Sequence, residues 1–332
     1  MAKSIALALL QQGQGRRHNE NNLYFLDSSV PFDQRMEYER SAASSEALQF
    51  YAVADGVGGG VGGGVAAQAV LLALDRQARR YRPGSPFDFP AFARDLIGSA
   101  NQTIGEQLGS DQSLPAGTTL SLLVIDRDRA YTLSLGDSRI YLLRENQLCR
   151  LTEDRANRLP ERRRMGAWPG TAGGRDMPEP DNLTDTALLP GDILLLTTVG
   201  VTGQLTDSLI TAGLNRPGAF IQQIRHLREM TLNRGDQDDF ALIGIKILEP
   251  LPAPARPEPG QNPRQALFRS GRRPGRPDPG QPAIKGSGGL FPDKRYLRLL
   301  RPLLFFLAFV LLGIILGKLL FELPAWLNRL FP

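Results

Sequence analysis

The sequence predicts an α+β fold in which two antiparallel β-sheets pack as a sandwich flanked by helices. Short apolar runs separated by tight turns fill residues 116–152 and leave no room for crossover helices, so this block predicts an antiparallel meander. A second block closes with an apolar run at Phe240–Ile247, after a buried strand pattern at Ile193–Thr197 and two helical patterns. Two strand-rich blocks with helices between them favour a two-layer sheet sandwich.

The remaining elements are predicted from the spacing of apolar residues and from the turn residues between them. Further strands are predicted at Ser4–Leu10, Leu23–Leu26 and Phe50–Ala54, and helices at Val65–Arg80, Phe89–Leu108, Thr206–Ala212 and Phe220–Thr231. Residues 28–46 are polar and are predicted to form a surface loop or the end of a hairpin. Residues 153–185 are rich in Arg, Pro and Gly, which predicts a mobile flap.

The composition excludes several classes of protein and site. A length of 332 residues predicts one or two domains. The single cysteine, Cys149, excludes an intrachain disulfide framework and fits a reducing compartment. The two histidines, His18 and His226, are too few and too scattered for a His-rich metal site, and no Ser/His/Asp or Cys/His arrangement is legible.

The net charge of +5 is a property of the C-terminal tail. Residues 251–332 hold 13 basic and 4 acidic residues, a balance of +9, which leaves −4 for residues 1–250. The high isoelectric point therefore does not indicate a nucleic-acid-binding domain, and no nucleic-acid partner is expected.

Three segments are predicted to follow a domain of residues 1–250. Residues 251–296 form a Pro/Gly/Arg-rich disordered linker, residues 297–322 a transmembrane helix, and residues 323–332 a short tail. The apolar span from Leu303 to Phe321 would extend about 28 Å as a helix, enough to cross a bilayer core. Basic residues precede the span, so the positive-inside rule predicts a single-pass protein of the inner or plasma membrane with a cytoplasmic N-terminal domain.

One stretch combines a carboxylate with an unusual density of glycine. Asp55 ends a predicted strand, and seven of the next nine residues are glycines. Such a carboxylate suits a metal or phosphate site, because glycine lets a backbone carbonyl approach as a second ligand. A flexible turn between strand and helix explains the stretch equally well. The glycines also fit a dinucleotide-binding fingerprint, but hairpins rather than βαβ units follow, which disfavours that interpretation.

Several motifs, taken in chain order, resemble those of the metal-dependent Ser/Thr protein phosphatases of type 2C, the PPM family, which includes bacterial members with a C-terminal membrane span. They are Gly15-Arg-Arg-His-Asn-Glu20, Val53-Ala-Asp-Gly-Val-Gly-Gly59, Ala116-Gly-Thr-Thr119, Gly136-Asp-Ser-Arg139, Leu151-Thr-Glu-Asp154 and Gln237-Asp-Asp239.

The resemblance implies hydrolysis assisted by two Mg²⁺ or Mn²⁺ ions, which activate a water and shield the phosphate. It implies that Asp55 is the catalytic group and bridges the two ions, and that Gly56 offers its carbonyl as a ligand. Asp238 would hold the second ion and Asp137 a third. Arg16 would bind the substrate phosphate, since a guanidinium pairs with it bidentately.

Two residues depart from the family pattern at metal-binding positions. Asn21 stands where the family has aspartate, and Val199 replaces the aspartate of a Ser-Asp-Gly motif. We therefore expect weakened metal binding and favour a membrane-tethered pseudophosphatase that binds a phosphorylated protein or a Ser/Thr kinase. The alternatives are an active phosphatase with a reduced ligand set, and a scaffold whose basic linker lies on anionic lipid.

Overall fold

A computed structural model describes residues 3–58, 61–81, 87–108, 116–153, 179–235 and 238–250. The predicted linker, transmembrane helix and tail, together with residues 154–178 of the predicted flap, lie outside these ranges. Within the described ranges, no helix is both long enough and apolar enough to cross a membrane.

Two antiparallel sheets form the centre of the domain. In spatial order, the first sheet contains β10 (Gln147–Arg150), β9 (Arg139–Arg144), β12 (Ile193–Thr197), β13 (Phe240–Glu249), β1 (Lys3–Gln11) and β4 (Glu37–Ser44). The second contains β11 (Asn182–Ala187), β8 (Arg129–Leu135), β7 (Leu120–Asp126), β5 (Leu48–Val57), β2 (Asn21–Phe25) and β3 (Ser28–Ser29), with β6 (Gly117–Thr118) paired to the end of β5. The predicted two-sheet antiparallel architecture is confirmed.

Helices cover the outer face of each sheet. The long helices α1 (Val61–Ala78) and α2 (Phe89–Leu108) pack on the second sheet through one apolar cluster. The helices α3 (Val199–Thr202), α4 (Asp207–Leu214) and α5 (Phe220–Leu232) contribute to another cluster on the first sheet. A third cluster fills the space between the sheets. The flanking helices predicted from the sequence are therefore present on both sides.

The apolar runs of the central strands reflect coverage on both faces. In β5, Tyr51 and Val53 face the other sheet, whereas Phe50, Ala52 and Ala54 face the helices. A strand buried on both faces needs no polar alternation, so its sequence reads as a continuous apolar run. This run carries Asp55 to the edge of the sandwich.

The structure corrects two element assignments. The predicted surface loop of residues 28–46 contains β4, whose residues alternate between exposed and half-buried because it is the edge strand of the first sheet. Its outward side chains are mostly polar, so the sequence pattern of this strand resembles that of a loop. The end of the predicted flap contains β11, which pairs with β8 from Asn182 to Ala187.

Candidate functional site

Asp55 is positioned mainly through its own main chain. Its N–H donates to Thr119 Oγ1 at 3.0 Å, and its carbonyl accepts from Thr119 N at 2.9 Å and Thr118 Oγ1 at 3.1 Å. Thr119 Oγ1 also lies 2.8 Å from Ser138 Oγ. The two threonines of the Ala-Gly-Thr-Thr motif thus hold the Asp55 backbone, a role that the motif alone did not reveal.

The Asp55 carboxylate lies opposite Asn21, its partner in the β2–β5 pairing. Asn21 Nδ2 donates to Asp55 Oδ1 at 3.0 Å, whereas the buried Asn21 Oδ1 has no hydrogen-bond partner in the described part of the chain. Burial raises the pKa of Asp55 well above its usual range, and the negative charges of Asp137, Asp238 and Glu20 raise it further. A cation beside Asp55 would relieve both effects.

Glycine is required where β5 meets the start of α1. A Cβ on Gly56 would lie 2.3 Å from both the carbonyl carbon and the oxygen of Gly63, and a Cβ on Gly63 would lie 2.6 Å from Glu20 Oε2. The Gly56 N–H donates to the Glu20 carbonyl at 3.1 Å. Two backbones therefore approach directly beside Asp55. Gly63, in the first turn of α1, has no side chain that would block this approach.

Asp137 lies in the turn between β8 and β9 and is half-buried. The preceding residue, Gly136, has φ +105°, and its N–H donates to Asp181 Oδ2 at 2.8 Å. A Cβ at Gly136 would also approach Thr119 Cγ2 to 2.7 Å. The turn is therefore fixed against the same threonine that holds Asp55. Nothing in the sequence pattern had singled out Asp181.

The two neighbouring aspartates before β13 have different roles. Asp238 forms an ion pair with Arg16, and the two side chains are 44% and 43% exposed. Asp239 is 1% exposed and accepts hydrogen bonds from Gly13 N at 2.9 Å and Glu20 N at 2.8 Å. Asp239 therefore fixes the loop that carries Arg16, while Asp238 faces the surface. The sequence singled out Asp238 and gave no role to Asp239.

Val199 lies at the start of α3, close in space to Asp239. On one side of it, Thr198 Oγ1 accepts from Ala241 N at 2.9 Å. On the other side, a Cβ at Gly200 would lie 2.3 Å from the Asp239 carbonyl oxygen. Val199 is thus held beside the start of β13, and its side chain offers no atom that can bind a metal.

The donor chemistry around Asp55 fits a hard cation. In residues 3–250, apart from the ranges that the structure leaves out, no three His, Cys, Asp or Glu side chains are grouped closely enough to hold an ion. Carboxylate and amide oxygens are nevertheless the donors that Mg²⁺ and Mn²⁺ prefer, and the unpartnered Asn21 Oδ1 is one of them. The metal-binding roles of Asp55, Gly56, Asp137 and Asp238 remain predictions.

A family model described as protein phosphatase 2C matches residues 33–160. The crystal structure of the catalytic domain of the Ser/Thr protein phosphatase PstP in complex with two manganese ions superimposes with a TM-score of 0.57. That comparison is 25% identical and covers 74% of this chain and 100% of the other. These comparisons support a type 2C protein phosphatase domain in this chain, which the family model matches at residues 33–160.

Two further comparisons give one relative by sequence and one structure that shares the fold. The Ser/Thr protein phosphatase PstP of Mycobacterium tuberculosis is 27% identical over 215 residues, which cover 60% of this chain and 40% of the relative. This chain thus matches less than half of the curated relative's length. The Ser/Thr phosphatase structure from S. agalactiae has a TM-score of 0.60 at 21% identity, covering 73% of this chain and 99% of the other.

Proposed function

We propose that the type 2C domain binds phosphorylated proteins through Arg16 while its weakened metal centre supports little or no turnover, so that it acts as a pseudophosphatase in phospho-signalling. The observation that carries this proposal is the arrangement of side chains around Asp238, which we call the Asp238 edge of the site. There, Asp238 is paired with a guanidinium, and the neighbouring strand end presents Val199 instead of a carboxylate.

Phosphate binding requires little rearrangement at Arg16. Its ion pair with Asp238 is exposed, and exposed ion pairs contribute only about 0–1 kcal/mol. A phosphate monoester carries more charge than a carboxylate and can accept two parallel N–H bonds from a guanidinium. Arg16 can therefore exchange Asp238 for a phosphoprotein, and this exchange needs no metal.

A second candidate is an active phosphatase with a reduced ligand set. Its support is the cluster of acidic groups that raises the pKa of Asp55, because such a cluster favours a bound divalent cation. When bound, Mg²⁺ or Mn²⁺ would supply Lewis-acid polarisation of the phosphate and an activated water. In this chain Asp55, Gly56, Asp137 and Asp238 would hold the metal, Asn21 would orient the Asp55 carboxylate, and Arg16 would hold the substrate.

Hydrolysis assays on the full-length chain in mild detergent separate the two candidates. We expect no metal-dependent hydrolysis of a small aryl phosphate ester or a phosphopeptide as Mn²⁺ is raised to millimolar levels. The double variant Asn21→Asp with Val199→Asp should bind Mn²⁺ at least about tenfold more tightly, since metal-site neighbours alone change affinity 10–100-fold.

Thr202→Asp provides a matched control, because it adds the same charge to α3 away from the strand end. It should leave Mn²⁺ affinity unchanged. Hydrolysis by the unmodified chain that a chelator stops would replace the pseudophosphatase proposal with the active enzyme, and Asp55→Asn should then abolish the activity.

We also propose that residues 297–322 tether the domain to the inner or plasma membrane. The support is the sequence alone, in which a long apolar span follows a basic linker. Full-length chain reconstituted with anionic vesicles should stay bound in high salt. Release by high salt would instead favour electrostatic adsorption of the linker, because screening removes that attraction.

A further inference from the structure

The two most exposed large hydrophobic side chains of the described residues lie in one loop. Met36 is 70% exposed and Phe32 is 52% exposed, whereas the other exposed large hydrophobic residues reach at most 47%. Single exposed apolar residues are ordinary, but a pair in one short loop marks a candidate interaction surface. We refer to these two side chains as the Phe32–Met36 surface.

This surface adjoins the loop that carries Arg16. The Met36 carbonyl accepts from Gln12 N at 2.8 Å, and Gln12 Nε2 donates to the Arg16 carbonyl at 2.7 Å. The ring of Phe32 lies 6.3 Å from the ring of His18, two residues beyond Arg16. The loop that carries Arg16 and the apolar surface are therefore linked through Gln12.

Buried Arg35 holds Phe32 in its exposed position. The Arg35 guanidinium carbon lies 5.0 Å from the centre of the Phe32 ring, although Arg35 itself is only 2% exposed. Arg35 Nη1 donates to the Gly64 carbonyl at 3.1 Å and Nη2 to Gln68 Oε1, while its buried Nε has no hydrogen-bond partner in the described part of the chain.

The environment of Arg35 makes the Phe32 ring an integral part of the fold. Burying a guanidinium is costly, and the face of an aromatic ring offsets part of that cost. Burial lowers the pKa of Arg35 to about 10, so it remains protonated at neutral pH. One face of the Phe32 ring thus contacts Arg35, and this contact restricts the ring before any partner binds, which reduces the entropy lost on binding.

We infer that the Phe32–Met36 surface binds apolar side chains that flank the phosphoserine or phosphothreonine of a bound phosphoprotein, while Arg16 binds the phosphate. This inference rests on the proposed function, since it assigns the phosphate to Arg16. The neighbouring Arg17 adds positive charge to the same loop, which complements an anionic phosphate group. The preferred partner is therefore a phosphopeptide with large apolar residues next to the phosphorylated one.

Binding of fluorescent peptides to the full-length chain, with chelator present to prevent turnover, tests this inference. Three peptides are compared: phosphorylated with flanking Leu, phosphorylated with flanking Ser, and the Leu peptide without phosphate. We expect the Leu phosphopeptide to bind about tenfold more tightly than the Ser phosphopeptide, equivalent to about 1.4 kcal/mol. Met36→Gln, which keeps the size of the side chain, should remove most of that preference.

A second variant and a matched control keep the outcome unambiguous. Phe32→Leu should retain part of the preference and Phe32→Ser should lose it. Leu189→Gln should change nothing, because Leu189 is 47% exposed but lies near Gly191, which bonds to Ile247 at the other end of β13. An Arg16→Gln variant should weaken both phosphopeptides and leave the unphosphorylated peptide unaffected.

The possible failures are distinct. If binding depends on phosphate and on Arg16 but not on the flanking residue or on Met36, the apolar docking surface is wrong and the proposed function stands. If no peptide binding depends on phosphate, both are wrong. Concentration-dependent self-association that Met36→Gln abolishes would also overturn the inference, because a second copy would then cover the surface.

Discussion

The two edges of the candidate site are built differently. At the Asp55 edge, the backbone of the key residue is fixed by two threonines and by the close approach of Gly56 to Gly63. At the Asp238 edge, the carboxylate is about half-exposed and paired with an arginine on a loop. One edge is therefore held by the fold, whereas the other depends partly on side chains that can exchange partners.

This difference indicates which parts of the site can vary without loss of the fold. Replacing the Asp238 side chain removes an exposed ion pair and none of the hydrogen bonds that hold the Asp55 backbone. Val199 occupies this more permissive edge, held between two residues that contact the start of β13. Under the proposed function, the domain would keep an ordered surface for a phosphoprotein even where Val199 weakens its metal site.

The largest effect is expected from Asp239→Ala. This change leaves the buried N–H groups of Gly13 and Glu20 without their acceptor, and each unsatisfied group costs about 1–3 kcal/mol. The free energy of unfolding, measured with urea, should fall by roughly 3–5 kcal/mol. Asp238→Ala is the matched control, with an expected loss of at most about 1 kcal/mol because its ion pair is exposed. Equal losses from the two variants would contradict their different roles.

A smaller but clear loss is expected from Gly56→Ala. The added Cβ would meet the Gly63 backbone at 2.3 Å, and overpacking against backbone typically costs about 1–3 kcal/mol. Gly105→Ala in α2 is the control, because nothing lies within 4 Å of its Cβ position. That control should raise thermal stability slightly, since Ala is the better helix former by about 1 kcal/mol. Unchanged stability of Gly56→Ala would show that the two backbones are not in close contact.

Much of the fold was predictable because its central strands and long helices carry strong periodic signals. The Phe89–Leu108 helix was predicted with its observed bounds. The predicted meander of residues 116–152 is wrong, because the two hairpins β7–β8 and β9–β10 belong to different sheets. Edge strand β4 was missed because its outward side chains are polar, as they are in a loop. Pattern reasoning detects burial, and an edge strand has little of it.

The sequence motifs predicted some residues of the site but not the contacts between them. The sequence singled out Asp55 and Arg16, but their partners Thr119 and Asp238 are distant in sequence, and their contacts arise only when the sheets assemble. Arg35 gave no signal, because a buried arginine without a carboxylate partner resembles any loop arginine in sequence. Such contacts depend on tertiary packing rather than on local pattern.

Arg16→Gln tests the exchange of partners at the Asp238 edge. Removing the guanidinium should raise Mn²⁺ affinity up to about fivefold, since the exposed ion pair contributes at most about 1 kcal/mol. The same variant should weaken phosphopeptide binding, so the two affinities move in opposite directions. Titration calorimetry measures both, and Arg17→Gln is the control that should leave Mn²⁺ affinity unchanged. A parallel loss of both affinities would mean that Arg16 supports the site rather than competing with the metal.

The effect expected from Asp55→Asn in the presence of chelator depends on pH. Because the pKa of Asp55 is raised on folding, its contribution to stability is complete below the unfolded pKa of about 4 and is lost as pH rises through the folded value. The variant cannot ionise, so its melting temperature should exceed that of the unmodified chain increasingly from about pH 4 upward and then level off.

At neutral pH, added Mn²⁺ should make the melting temperature of the unmodified chain the higher of the two, because only that chain offers a carboxylate at position 55. Scanning calorimetry at several pH values, with and without Mn²⁺, measures both parts. A melting-temperature difference that stays constant with pH would mean that burial and the neighbouring charges do not destabilise the Asp55 carboxylate. A cation beside Asp55 would then lose its support.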